Sequence, residues 1–271
     1  MRWVFCALLM LTFAEGARAQ DFDALRGSLP VGPATFNRWS GFYLGGQIGY
    51  SDANADFSKA TQPPVAYALR DSALEATSNP SQMSVLGTAD HGGLAYGGFV
   101  GYNTQWQDLV LGAEANYNHT SLSLTAVGSP IERSGFSDGE GHYYTVGLNG
   151  TGTLTDLEYG SFRARAGWVL GSFMPYGFAG FALGAADIHV ASKACVQLQP
   201  PAACTSSATI FTANSGENLA LLYGFAIGGG LEVALTQNVF VRGELEYIRF
   251  APFADILVSV ASARVGAGVK F

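Results

Sequence analysis

Between Leu222 and Leu235 the chain alternates with a period of two, and the alternation is inverted relative to that of a water-soluble protein. Tyr223, Phe225, Ile227, Leu231, Val233 and Leu235 share one parity; Gly224, Ala226, Gly228, Gly230, Glu232 and Ala234 share the other. A period of two places successive side chains on opposite faces of a strand. In water the bulky set would line an interior, leaving glycine, alanine and a carboxylate outside. The pattern makes physical sense when the bulky face meets lipid and the small or charged face is enclosed. Ser262–Phe271 repeats it: Ala263, Val265, Ala267, Val269 and Phe271 alternate with Ser262, Arg264, Gly266, Gly268 and Lys270.

Hydropathy alone points elsewhere. Gly167–Ala186 and Leu219–Leu231 carry no charge, and either run resembles a membrane helix. Glycine weakens that reading, with 35 in 271 residues. Gly171-Ser172 and Pro175 also interrupt the first run as a turn would. Read as strands, the chain has eight segments near residues 40–52, 93–106, 108–122, 155–169, 173–187, 222–235, 238–251 and 258–271. Each is long enough to cross a bilayer at a tilt, which takes about ten residues. Trp106-Gln107-Asp108, Leu170-Gly171-Ser172 and Thr236-Gln237-Asn238 are tight turns, and 252–257 is also short. Regions 53–92, 123–154 and 188–221 are long connections rich in Ser, Thr, Ala, Pro and Asn. The expected fold is all-β: an eight-stranded antiparallel up-and-down transmembrane barrel with periplasmic termini and long extracellular loops. The strand-like stretch 142–154 reads as a hairpin arm above the membrane.

Residues 1–19 read as a secretory signal. A basic Arg2, an apolar Trp3–Ala14 and a small-x-small Ala17-Arg18-Ala19 predict cleavage before Gln20. Residues 20–38 are then a periplasmic leader, and 39–271 the barrel. The charge balance is 14 Lys and Arg against 21 Asp and Glu, with no basic cluster, which argues against nucleic acid as a partner. Cys195 and Cys204 lie in one connection of a chain bound for an oxidising compartment, and a disulfide between them is expected. A metal site there would need two further ligands, and only His189 is near.

Two residue sets follow from the strand reading. Trp39, Phe42, Trp106, Trp168, Phe240 and Phe271 fall at periplasmic strand ends, and Tyr50, Tyr96, Tyr117, Tyr159 and Tyr247 at the opposite ends; they are expected to form two aromatic girdles. Glu114, Arg163, Arg165, Glu232, Arg242, Glu244, Glu246 and Arg264 take the inward parity. Four acids and four arginines in a narrow lumen predict a salt-bridge network that plugs it. A ring of one sign would instead favour conduction. In the fifth segment Phe178 and Phe181 have opposite parity, so one must point inward; the second segment is also less regular.

Trp39-Ser40-Gly41-Phe42-Tyr43-Leu44-Gly45-Gly46-Gln47-Ile48-Gly49-Tyr50 resembles the opening strand of small alphaproteobacterial outer-membrane proteins. Gly97–Asn103, Ser161–Trp168 and Pro175-Tyr176 resemble later strands of the same proteins. The resemblance is to the OmpA-like, opacity-type barrel family, some of whose members are labelled porins. It implies a surface antigen that supports the envelope, embedded in outer-membrane lipid and lipopolysaccharide. It also implies loops offered to a host or surface ligand. A final phenylalanine resembles the signal read by the barrel-assembly machinery. The longer loops here, and the cysteine pair in one of them, depart from the compact members.

Other chemistry is weakly indicated. His119-Thr120-Ser121 resembles the His-x-Ser of outer-membrane lipid A deacylases, in which a carboxylate orients the histidine. Here Glu132 or another loop residue would have to supply it. His91, His142 and His189 fall in or near different loops with no metal-site spacing, and Gly228-Gly229-Gly230 lies inside a strand, where a dinucleotide loop does not fit. The expected protein is a non-enzymatic surface barrel without cofactor or metal. A narrow porin-like channel is the alternative, and a lipid A-modifying enzyme a more distant one.

Overall fold

The tight turns set one end of the molecule. At Trp106-Gln107-Asp108 the chain reverses through Gln107 at φ 53°, and at Leu170-Gly171-Ser172 through Gly171 at φ 66°. The computed structural model describes residues 39–201 and 203–271; the expected signal peptide and leader, 1–19 and 20–38, lie outside them. Ten strands follow in chain order: β1 (Gly41–Asp56), β2 (Thr88–Trp106), β3 (Leu109–Thr120), β4 (Ser123–Val127), β5 (Ile131–Ser137), β6 (Tyr143–Trp168), β7 (Phe173–Leu198), β8 (Thr209–Ala234), β9 (Val239–Phe250) and β10 (Leu257–Lys270). Two short helices, α1 (Gln62–Leu69) and α2 (Ala73–Ser78), fill the connection after β1.

Eight of these strands close a ring. β1 pairs with β2, β2 with β3, β3 with β6, and the chain continues through β7, β8 and β9 to β10, which returns to β1. All pairs are antiparallel, and closure leaves no sheet edge in the membrane. Tyr43 opposite Lys270 and Leu44 opposite Val269 form the closing seam.

The strands extend far beyond the membrane. β6, β7 and β8 are each 26 residues long, well over the ~10 that span a bilayer. Much of what reads as loop in 123–154 and 188–221 is therefore strand. Residues 142–154 do not form a separate arm. From Tyr143 onward they are the upper part of β6, continuous with its membrane segment and paired with β5, β4 and β7. The ladder is interrupted at one level: the β6–β7 register shifts between Thr155 and Glu158, and the β7–β8 register between Ala186 and Ile188. Asp156 and Leu219 have positive φ there, and Asp187 accepts the Leu219 N–H at 2.7 Å. Such bulges re-aim a sheet; these mark where the barrel wall becomes a projecting sheet.

The helices cap that sheet. Pro63 and Pro64 sit in the first turn of α1, where a missing N–H costs nothing. Ser72 caps α2 by accepting the Glu75 N–H. Val65 and Leu69 of α1 are buried with Leu74, Val146, Leu148 and Ala194. Cys195 and Cys204 are joined by a disulfide, with Cα atoms 6.4 Å apart, at the end of the β7–β8 hairpin.

Candidate functional site: a side-chain-filled lumen

The inward face of β9 reads Phe240, Arg242, Glu244, Glu246, Ile248 and Phe250, and all six are buried. That one strand passes through three layers that the whole lumen repeats. At the short-turn end lie Trp39, Tyr43, Phe99, Met174, Tyr176, Phe178 and Phe240. The charged residues occupy the middle. Above them is an apolar core including Phe57, Leu122, Leu154, Ile188, Leu222 and Val260.

All eight inward-parity charged residues are buried in the middle layer. Strand register sets three opposite-charge pairs face to face: Glu114 with Arg163, Glu232 with Arg242, and Glu244 with Arg264. The contacts then cross the lumen. Arg163 Nη2 lies 2.6 Å from Glu244 and also bonds Glu114, while its Nη1 donates to Glu246 at 3.2 Å. Arg165 bridges Glu114 (3.1 Å) and Glu232 (2.7 Å). Arg242 lies 2.9 Å from Glu114, and Arg264 pairs with Glu244 and with Glu246, the latter at 2.7 Å. Each acid thus meets at least one guanidinium, as burial of charge demands.

Neutral groups extend the network, though Arg163 Nε and the Nε and Nη1 of Arg264 are buried without a hydrogen-bond partner among the described residues. Tyr43 donates to Glu114 at 2.7 Å and Tyr176 to Glu244 at 2.8 Å. Arg242 donates to Gln47 at 2.7 Å, and Gln47 passes a bond of the same length to Asn118. Ser161 donates to Glu246 at 3.0 Å. Three arginines also lie over rings: Arg242 over Phe99 at 3.5 Å, Arg163 over Phe178 at 3.9 Å and Arg165 over Tyr176 at 4.0 Å. Glycines make room for those rings. A Cβ at Gly228 would come within 2.4 Å of Phe178, and one at Gly230 within 2.8 Å of the Tyr176 hydroxyl. Sequence reasoning missed Tyr43, Gln47, Asn118 and Tyr176. Parity alone would find the first three: Tyr43 and Gln47 alternate with Phe42, Leu44 and Ile48 on β1, and Asn118 shares the parity of Glu114 on β3.

The aromatic set divides. Phe42, Trp106, Trp168, Phe271, Tyr50, Tyr96, Tyr117 and Tyr247 are exposed on the outer surface, among a band including Leu44, Ile48, Val265 and Val269. Trp39, Phe240 and Tyr159 do not belong to the girdles: they are 1%, 3% and 1% exposed and point inward. Parity is the reason. Tyr159 shares a face with Arg163, Phe240 with Arg242, and Trp39 with Tyr43. Trp39 lies inside the short-turn end of the lumen with the Lys270 ammonium 4.9 Å from its ring centre, and Tyr159 bonds Ser51 at 2.8 Å. On β7 the inward ring is Phe178, 5% exposed, while Phe181 is 77% exposed.

His119 does find a carboxylate. It is Glu158, 3.0 Å away and opposite it in the β3–β6 register; Glu132 is not the partner. Tyr96 packs against the imidazole at 5.1 Å between ring centres. Ser121 is exposed just beyond β3, and among the described residues no hydrogen bond joins it to His119. His91 lies on β2, His142 before β6 and His189 on β7, and the structure does not gather them. His142 instead bonds Asp138 at 2.8 Å.

A closed antiparallel barrel with an apolar outer band and its charge enclosed defines an integral outer-membrane β-barrel protein. Residues 7–271 match the outer membrane protein beta-barrel domain, and the chain belongs to that family. It is similar to a 22 kDa outer membrane protein of Rhizobium leguminosarum bv. viciae, 25% identical over 252 residues that cover 89% of this chain and 82% of that one. Among solved structures, Ail, the attachment invasion locus protein of Yersinia pestis, shares 14% identity at a TM-score of 0.35, covering 85% and 99% of the two chains. Neisserial surface protein A shares 16% at 0.36, covering 86% and 98%.

Proposed function

We propose that this protein is a non-enzymatic outer-membrane barrel that supports the envelope and presents its projecting sheet and helices to the surroundings. The side-chain-filled lumen carries the reading. A pathway for ions or solutes would have to pass an aromatic floor, a charge layer balanced at four acids and four arginines, and an apolar core. Selective pores present a ring of one sign, whereas the charged layer among the described residues mixes acids with arginines. The outer band would contact lipid and lipopolysaccharide, the barrel-assembly machinery would engage the C-terminal strand, and a host or surface ligand would meet the projecting part.

The test is a deletion strain assayed for detergent and bile-salt sensitivity, complemented with the intact gene. Restored resistance supports an envelope role, and sensitivity equal to the parent strain's before complementation overturns it. Lipid A mass spectra should be identical with and without Ser121→Ala; a change in acylation would replace the non-enzymatic reading.

A further inference from the structure

The ring closes fully in the membrane but opens above it. β8 pairs with β7 along nearly its whole length, from Thr209 to Val233, whereas its pairing with β9 begins only at Gly224. Above that point the β9 side of β8 meets no strand among the described residues. An edge of this kind leaves alternate N–H and C=O groups without ladder partners, and proteins usually protect such edges with charge, proline or a cover. Thr209-Ile210-Phe211-Thr212-Ala213-Asn214-Ser215-Gly216 contains no charged residue and no proline. The disulfide sits beside the start of this edge: Cys195 lies opposite Ile210 in the ladder, and its partner Cys204 lies in the connection that leads into β8.

A groove runs along this edge. A cavity of about 620 Å³ lies between Tyr67 and Arg70 on the helix side and Phe211–Ser215 on the strand. A second, of about 120 Å³, continues from Ser215 to Glu217 and ends at Phe253 and Ala254. Pro63, Pro64 and Ser215 line both, so the two cavities adjoin along the edge as a trough. Its ends differ in charge. Arg70 marks the end far from the membrane, and Glu217 the end near it. Arg70 is half exposed, stacked on Tyr67 at 4.0 Å, bonded to the Tyr67 carbonyl and paired at 3.5 Å with the exposed Asp71, for which an incoming acid would substitute.

We propose that this trough binds an extended segment of another polypeptide, which adds to β8 as an antiparallel strand. The proposal rests on the reading of a surface-presenting barrel and names the kind of partner it would hold. Main-chain hydrogen bonds supply affinity in strand addition, and side-chain pockets supply selectivity. β8 runs toward the membrane, so an antiparallel guest runs away from it. Its basic residue, facing Glu217, precedes its acidic residue, facing Arg70, by about six positions at ~3.3 Å each. A second copy of β8 is a poorer guest, since Thr209–Ala220 has no basic residue to answer Glu217.

The test uses the mature protein refolded in lipid nanodiscs. The probe is a fluorescent decapeptide of alternating Thr and Val with Lys at its second position and Glu at its eighth. Saturable binding is expected, weakened about tenfold or more by N-methylation of one alternate set of amides and unaffected by methylation of the other. Arg70→Glu should weaken binding of the probe, and replacing the peptide's Glu by Lys should restore it. Absence of saturable binding, or equal loss with both methylated sets, would overturn the proposal. So would peptide-free pairing of two barrels through Cys introduced at Thr212. The N-methyl comparison leaves the protein unaltered, so misfolding cannot mimic its result. A failure here in a barrel that still blocks ion flow would count against the trough alone, and the sealed-surface-barrel reading would stand.

Discussion

Arg163 and Glu114 face each other across the β3–β6 ladder, and the same guanidinium reaches Glu244 and Glu246 on β9. One side chain therefore ties two regions of the wall that are far apart in the ring.

Arg163→Ala would strand three buried carboxylates with fewer partners. Breaking a buried pair from one side costs about 3–5 kcal/mol. The urea midpoint of the refolded barrel should fall accordingly, and Arg163→Ala combined with Glu114→Ala should cost less than the sum of the two singles. Strict additivity would show that the pair is not coupled.

Gly228 gives Phe178 its place beneath Arg163. Gly228→Val forces the ring off the wall. Overpacking costs about 1–3 kcal/mol, so a lower midpoint is expected for this variant. Gly243→Val is the control: its Cβ would meet nothing within 4 Å and its side chain faces lipid, so the midpoint should hold.

Removing the disulfide should act locally. Cys195 and Cys204 are nine residues apart and lie beyond the membrane. Cys195→Ser with Cys204→Ser should speed amide exchange near the β7–β8 tip while leaving the barrel's heat-modifiable migration unchanged. Unaltered exchange at the tip would refute a bracing role.

The β5–β6 turn should loosen in acid. Partial desolvation opposes ionisation of Asp138, but bonds from the Glu140 N–H, the His142 ring and the His142 N–H outweigh it and hold the carboxyl below its usual range. A depressed carboxylate adds stability that is present above the unfolded value, about 3.9, and lost as pH falls through the folded one. Amide signals of Gly139–His142 should broaden or shift in that acid window, and Asp138→Asn should abolish the change.

The barrel's charged interior was legible because parity is a local property. Arg242, Glu244 and Glu246 alternate with Val241, Gly243, Leu245 and Tyr247, and no knowledge of pairing is needed to group them. At Trp39, Phe240 and Tyr159 residue type and parity disagree, and parity decides: all three rings are buried inside. The height of β6, β7 and β8 was hidden for a different reason. Above the membrane the outer face meets water, so the inverted pattern fades; Thr209–Gly216 is mostly polar or small on both faces. Glu158 could not be matched to His119 without the register that sets them opposite.

Current across a planar lipid bilayer holding the refolded mature protein tests the sealed lumen most directly. The account predicts a silent membrane at moderate voltages, with no stepwise openings after insertion is verified by heat-modifiable migration. Reproducible conductance steps from the unaltered protein would contradict it.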